Sequence, residues 1–220
     1  MNLKHITIFF IISYVHCSAQ SLAKKADSIR LKYEIPEMAF AIITPDIVVQ
    51  QEYLGYHKLG DHTAKDTARS SDYFHLGSNT KAITGFIAAY IVEHNQIKWA
   101  TKIFDIFPEW KNQSNSAYYQ VTLQDLLSHK GRIEPYTSEI ERNELPEFKG
   151  NKANQRQQFA AYLLREKPVA VNSLVGYNYS NAGYTIAAAM LEKVTGKTWE
   201  QLVNDIINKK LQFKAAFGWP

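Results

Sequence analysis

The chain has 220 residues, 45% of them hydrophobic and 21% charged, enough apolar material for one good core or two small ones and too much for a disordered chain. Its formal net charge of +4 is carried by scattered single and paired basic residues, such as Lys24-Lys25 and Lys209-Lys210, without the concentrated stripe that nucleic-acid binding requires. Cys17 is the only cysteine, which excludes an internal disulfide framework and leaves stability to packing.

Lys4 and His5 precede the apolar run Ile6 to Val15, and Cys17-Ser18-Ala19 puts small residues where a signal peptidase inspects the chain. Residues 1–19 therefore read as a secretory signal peptide cleaved after Ala19, with a secreted or periplasmic location for the rest. The run ends at Gln20, short of the about 20 apolar residues of a membrane span; bulky His16 argues against Cys17 as a lipoprotein acceptor, and no later segment approaches transmembrane length.

Ser21 to Tyr33, with Leu22, Ala26, Ile29 and Leu31 among charged residues, predicts an amphipathic helix that ends near Pro36. Met38 to Thr44 and Ile47 to Tyr56 predict a hairpin turning at Pro45-Asp46, and Lys58 to Asp72 a polar loop. From Ser78 the pattern becomes helical, with Ile83, Phe86, Ile87, Tyr90 and Ile91 on one stripe. Ile97 to Asn154 reads as short helices and loops, with a helical turn or two in Val121 to Ser128 and a polar connection from Asn143 to Asn154. Gln155 to Leu164 predicts a helix that stops before Pro168. Another begins near Asn181, carries Tyr184, Ala187, Ala188, Leu191 and Val194, and stops at Gly196. Thr198 and Gln201 form a capping box for a last helix bearing Trp199, Leu202, Val203 and Ile206. A hairpin followed mostly by helices is an α/β (α+β) pattern short of most of its sheet.

Ser78-Asn79-Thr80-Lys81 sets a hydroxyl and an amine one helical turn apart, where the amine can take the serine's proton or hold the base that does. Spacing alone carries little: roughly one Ser-x-x-Lys per chain of this length arises by chance, and Ser21 to Lys24 is a second match. Context separates them. Ser78 follows Gly77 and opens the long helix, where the positive end of the helix dipole favours a developing oxyanion; taken alone it would be an N-cap, and Lys81 a solvated first-turn residue. Tyr179-Ser180-Asn181 is the only Tyr-x-Asn among 13 tyrosines. A tyrosine near a lysine can be pushed toward its phenolate and serve as base or proton shuttle, and Asn181 offers a donor and an acceptor to orient Lys81 and a substrate carbonyl; the plainer alternatives are a packed ring and a helix-capping asparagine.

Phe74 to Lys81 and Tyr177 to Tyr184, in this order, resemble the first two motifs of class C beta-lactamases and the related DD-peptidases and esterases. Val121 to His129 resembles the family's connecting segment, Phe104 to Trp110 the stretch before it, and Glu192 to Gly196 and Phe217-Gly218-Trp219-Pro220 also look familial. The tyrosine at Tyr179 favours the class C and esterase branch over the one with Ser-Asp-Asn. The resemblance implies a beta-lactamase/transpeptidase-like fold, an antiparallel sheet flanked by helices plus a helical region, over residues 20–220. Within it, residues 20–77 hold the first helix and hairpin and residues 78–220 the mostly helical part.

The family's third motif, Lys-Thr-Gly or His-x-Gly on a late strand, should follow Asn181, and no such triplet does. Thr195-Gly196 follows Val194, while His75-Leu76-Gly77 and His129-Lys130-Gly131 come too early. In the family that strand supplies one oxyanion-hole donor, a loss worth about 2.7–4 kcal/mol in the transition state. The expectation is a C-terminally truncated chain, lacking the last strands of the sheet and leaving the hairpin an unpaired apolar edge. His129-Lys130-Gly131-Arg132-Ile133 departs from the Ser-Gly pair usual there.

The expected activity is that of a serine hydrolase acting through an acyl-enzyme on an amide or ester carbonyl. Ser78 is the nucleophile, Lys81 and Tyr179 handle the proton, and Asn181 aligns the substrate, a beta-lactam, a D-Ala-D-Ala peptide or an ester. The alternative is an inactive remnant, or a protein that binds penicillin or cell-wall peptides without turnover. No cofactor or metal is expected, since His57 and His62 are five apart and no His-Glu-x-x-His occurs.

Overall fold

The structure, a computed structural model, describes residues 22–60, 63–138, 143, 145–171 and 174–218. The segment read as a signal peptide, Ser21, His62 and Trp219-Pro220 lie outside the described residues. The chain divides into two units, Met1–Phe74 and His75–Pro220.

The first unit holds a helix over 22–32 (α1) and the strands β1, Glu37–Ile43, and β2, Val48–Gly55. The strands pair antiparallel from Glu37 opposite Gly55 to Ile42 opposite Gln50, with a register shift between Ile42 and Ile43. The Thr44 N–H donates to the Ile47 carbonyl at 2.9 Å, so the turn falls at Pro45-Asp46 as its chemistry predicts. Gly55 ends β2 at φ 91°, where a Cβ would lie 2.1 Å from the Pro36 carbonyl oxygen, so only glycine fits. The apolar stripe expected of α1 stays open, with Leu22, Ile29 and Leu31 all exposed. Ile43, Ile47 and Val48 are more than half exposed at the turn end of the sheet, an edge of the kind that templates pairing with another chain. The polar loop contains one short 3₁₀ turn, Ala64–Asp66.

The second unit is helical and is built around one buried helix. Its α-helices include α2, Thr80–Glu93; α3, Ile103–Ile106; α4, Leu123–Leu127; α5, Lys152–Leu163; α6, Asn181–Thr195; and α7, Trp199–Leu202, which runs on as a π-helical stretch, Val203–Lys210. α6 is buried from Ala182–Gly183 through Ile186 to Glu192, on every side of the helix and not along one stripe, as expected of a core helix. Its glycine and alanines let α2, α3, α4, α5 and α7 all pack against it. Ile186, Met190 and Leu191 join Ile87, Ile91, Leu126 and Leu163 in one continuous core.

Two sequence expectations change here. The buried face of α2 is Thr84, Ile87, Ala88 and Ile91, whereas Phe86 is 45% exposed and Ile83 and Tyr90 are only partly buried. α2 packs against α6 and presents Thr84 to α7, where its hydroxyl accepts the Trp199 indole N–H at 3.1 Å. α5 starts at Lys152 and not at Gln155, because the Asn151 side chain caps it by accepting the Asn154 N–H at 2.9 Å. Two other expectations hold: Gly196 ends α6 at φ 67°, and Thr198 and Gln201 exchange both capping bonds at the start of α7.

One ion network ties three of these helices together. Arg156 of α5 donates to Glu192 of α6 and, through two nitrogens at 3.0 and 2.8 Å, to Glu200 of α7. The Trp199 N–H also donates to Glu192 Oε1, at 2.7 Å. Glu192 is 5% exposed.

Candidate active site

Ser78 lies in a 3₁₀ turn, Gly77–Asn79, that leads directly into α2, with Gly77 at φ 52°. Lys81 follows one turn later, half-buried, with its Nζ 3.3 Å from Ser78 Oγ. The segment before α6 supplies the remaining groups. The Tyr179 hydroxyl is 2.8 Å from Ser78 Oγ, and Lys81 Nζ donates to Asn181 Oδ1 at 2.6 Å. The Lys81 ammonium also stands 4.7 Å from the centre of the Tyr179 ring. Lys81 and Tyr179 thus both reach the Ser78 hydroxyl, and Asn181 joins them through Lys81. Ser78 is exposed and Tyr179 is 40% exposed, so the centre is open to a ligand.

The electrostatics follow from these contacts. Lys81 foremost, and then the bond with Ser78, holds the Tyr179 phenol below the usual tyrosine range, because a nearby cation favours the phenolate. Burial, and then the neighbouring Tyr179, pushes the Tyr184 phenol up, so of the two tyrosines beside Lys81 only Tyr179 is primed to lose its proton.

The backbone of Tyr179 to Asn181 is clasped by the stretch 129–136. The Asn178 N–H donates to the His129 carbonyl at 3.0 Å and the Asn181 N–H to the Pro135 carbonyl at 2.9 Å. Asn181 Nδ2 donates to the Tyr136 carbonyl at 3.0 Å, which turns its Oδ1 toward Lys81. Ser180, not Asn181, caps α6: its Oγ accepts the Gly183 N–H at 2.9 Å and donates to the Glu134 carbonyl at 2.8 Å. The asparagine is therefore not used up as a cap. Ser180→Ala is expected to lower stability by about 1 kcal/mol, seen as a drop of a few degrees in the thermal melt.

Sequence reasoning missed two groupings. His129, read from sequence as the end of the connecting segment and as part of a misplaced triplet but given no role, accepts the Ser180 N–H on Nδ1 at 3.1 Å, and its ring centre is 4.5 Å from that of Tyr179. In the first unit, Glu37, His57 and Asp72 bring one donor atom each to within 4.8 Å of one another. Asp72 accepts from His57 Nε2 at 3.0 Å and from the Arg69 N–H; this bond to His57, first of all, lowers its carboxyl, while burial and then Asp72 raise that of Glu37. Their separation along the chain gives no motif to recognise.

The chain is similar to known proteins both in sequence and in fold. Unguisins hydrolase ungD' of Aspergillus campestris (strain IBT 28561) is 24% identical over 196 residues, covering 82% of this chain and 32% of the relative. Protein flp of Staphylococcus aureus (strain MW2) is 24% identical over 184 residues, covering 83% of this chain and 35% of flp. Among solved structures, a class C beta-lactamase from Rhodobacter sphaeroides superposes with a TM-score of 0.67 at 18% identity, over 90% of this chain and 51% of that one. The D-amino acid amidase of Ochrobactrum anthropi SV3 does so with 0.62 at 18% identity, over 87% and 53%. The chain spans about half the length of these structures and about a third of the curated relatives. Its fold is the beta-lactamase/transpeptidase-like one, of helices with an antiparallel sheet. The sequence model of the Beta-lactamase family matches residues 19–219, a span that takes in both motifs and the stretch that clasps them, and the chain belongs to that family.

Proposed function

We propose that the protein is a serine hydrolase that forms an acyl-enzyme on Ser78 from a small substrate with an amide or ester carbonyl, the class to which beta-lactams and D-amino acid amides belong. The observation that carries this reading is the approach of Tyr179 and Lys81 to the exposed Ser78 hydroxyl, with oxygen–oxygen and nitrogen–oxygen distances of 2.8 and 3.3 Å, and of Asn181 to Lys81.

Tyr179 is the better-placed proton acceptor. It is closer to Ser78 Oγ than Lys81 is, and Lys81 spends its shortest bond on Asn181. With the phenol ionised, Ser78 Oγ attacks the carbonyl carbon as its proton passes to Tyr179. The tetrahedral oxyanion develops near the positive end of the Gly77–Glu93 helical run. Tyr179 then returns the proton to the departing nitrogen or oxygen as the carbonyl carbon's bond to it breaks. Water, giving up a proton along the same path, hydrolyses the Ser78 ester, releasing the acid and restoring the hydroxyl. Lys81 keeps the phenolate accessible, and Asn181 holds Lys81 in place.

The test is to treat the protein with a fluorescent penicillin and, separately, with a fluorophosphonate, and to locate the adduct by mass spectrometry. Ser78 should carry it. A cooperatively folded protein that takes neither label, or takes it elsewhere, overturns the reading.

A further inference from the structure

His129 is held in an uncommon conformation for a reason visible in its contacts. Its φ is 61°, a left-handed geometry that non-glycine residues adopt uncommonly, histidine more readily than most. In this posture one residue accepts twice from the segment that carries Tyr179: its carbonyl takes the Asn178 N–H at 3.0 Å and its Nδ1 the Ser180 N–H at 3.1 Å. Tyr179 lies between those two amides. The imidazole also packs beside the rings of Tyr179, Tyr184 and Tyr177, at centre distances of 4.5, 5.3 and 6.4 Å. An acceptor at Nδ1 requires the neutral ring with its proton on Nε2.

We propose that His129 is a positioning residue for the Ser78 centre: as a neutral acceptor it fixes the Asn178–Ser180 backbone and so holds the Tyr179 hydroxyl within reach of Ser78 Oγ. The proposal rests on the acyl-transfer reading given above, with Tyr179 as the group that is positioned. The titratable groups around the imidazole are Lys81 from α2, Tyr177 and Tyr179 from the segment before α6, and Tyr184 from its first turn. Burial, and then the Lys81 cation, lowers the affinity of His129 for a second proton. The acceptor therefore survives to pH values below the ordinary histidine range. Further acidification protonates Nδ1 and turns it into a donor facing the Ser180 N–H, so the clasp is lost as pH falls.

Three variants separate the ring from the acceptor. His129→Asn puts a side-chain oxygen close to where Nδ1 sits and does not titrate; His129→Phe keeps a ring and removes the acceptor; His129→Ala removes both. Two readouts are used, the rate of Ser78 acylation against pH and the titration of the Tyr179 phenol by NMR of ring-labelled tyrosine, assigned through Tyr179→Phe. His129→Phe and His129→Ala should slow acylation by up to about 10²-fold, as misplacement of a catalytic group does, and move the Tyr179 titration up toward the ordinary tyrosine range. His129→Asn should retain most of the rate and the rise with pH set by Tyr179, and lose only the further fall at lower pH that protonation of His129 gives the wild type. A folded His129→Phe protein with unchanged rate and unchanged Tyr179 titration overturns the proposal, as does a His129→Asn profile in which the further fall below the Tyr179 rise persists. Should His129→Phe fail to melt cooperatively, His129→Asn carries the test through its pH profile. The phenol titration needs no substrate: a wild type that no reagent acylates sinks the hydrolase reading, while the movement of Tyr179 still decides the role of His129.

Discussion

Lys81→Met is expected to slow acylation of Ser78 by about 10²–10⁴-fold, the range for losing a positioned group in proton transfer, and to shift the remaining activity to higher pH. The sign follows from the geometry. In the proposed mechanism the phenolate of Tyr179 is the form that accepts the serine's proton, and Lys81 is the first cause of its lowered pKa. Acylation therefore rises with pH through a value below the usual tyrosine range. Without the ammonium the phenol reverts toward its ordinary affinity for the proton, so the same rise occurs at more alkaline pH. Tyr179→Phe should cost a comparable factor but remove this limb altogether, since Lys81 at 3.3 Å is then the only one of the pair left beside Ser78. Acylation rates with a fluorophosphonate across pH, on both variants and the wild type, distinguish the cases. If Lys81→Met leaves the limb where it was, the division of labour between the two residues is wrong. If Tyr179→Phe keeps the limb, the base is another group. Both variants should melt close to the wild type, because neither residue belongs to the hydrophobic core.

The parts of this centre that were legible in the sequence are those whose spacing is local. Ser78 and Lys81 sit one turn apart, and Tyr179 and Asn181 stand two apart beside a helix start, so each half could be read in place; only the fold brings together halves about 100 residues distant, as the Lys81 to Asn181 bond does. The hairpin and the helix stop at Gly196 were legible for the same reason, since turn chemistry and a left-handed glycine act within a few residues. What was not legible depended on packing between remote segments. Hydropathy ranks Phe86 above Ala88, yet α2 buries Ala88 and leaves Phe86 out, because the approach of two helices rewards small side chains. His129 looked like part of a misplaced triplet, and its contact with Ser180 spans 51 residues and depends on a left-handed backbone. The Ser180 cap was obscured in a similar way: Ser and Asn are both good caps, and only the Glu134 and Tyr136 carbonyls decide which of the two side chains faces the helix and which faces Lys81.

Arg156→Ala is expected to produce the largest loss of stability, and to do so without touching the reacting groups. Arg156 holds two carboxylates at once, on α6 and α7, and Glu192 is almost fully buried, with Oε2 already lacking a partner among the described residues. Removing the guanidinium leaves a buried negative charge with only the Trp199 N–H, a situation that costs about 3–5 kcal/mol. For a domain of this size that corresponds to a fall of about 6–20 °C in the melting midpoint. Arg156→Lys should recover only part of it, because a single ammonium cannot reproduce a fork that reaches Glu192 and both oxygens of Glu200. A double variant, Arg156→Met with Glu192→Gln, should be less damaged than Arg156→Ala, since it removes the orphaned charge with its partner. The network lies at the far end of α6 from Asn181, so well below the melting midpoint Ser78 should still take the fluorophosphonate at close to the wild-type rate. A melt unchanged by Arg156→Ala would mean that water reaches Glu192 and that the three helices are held by their apolar faces alone.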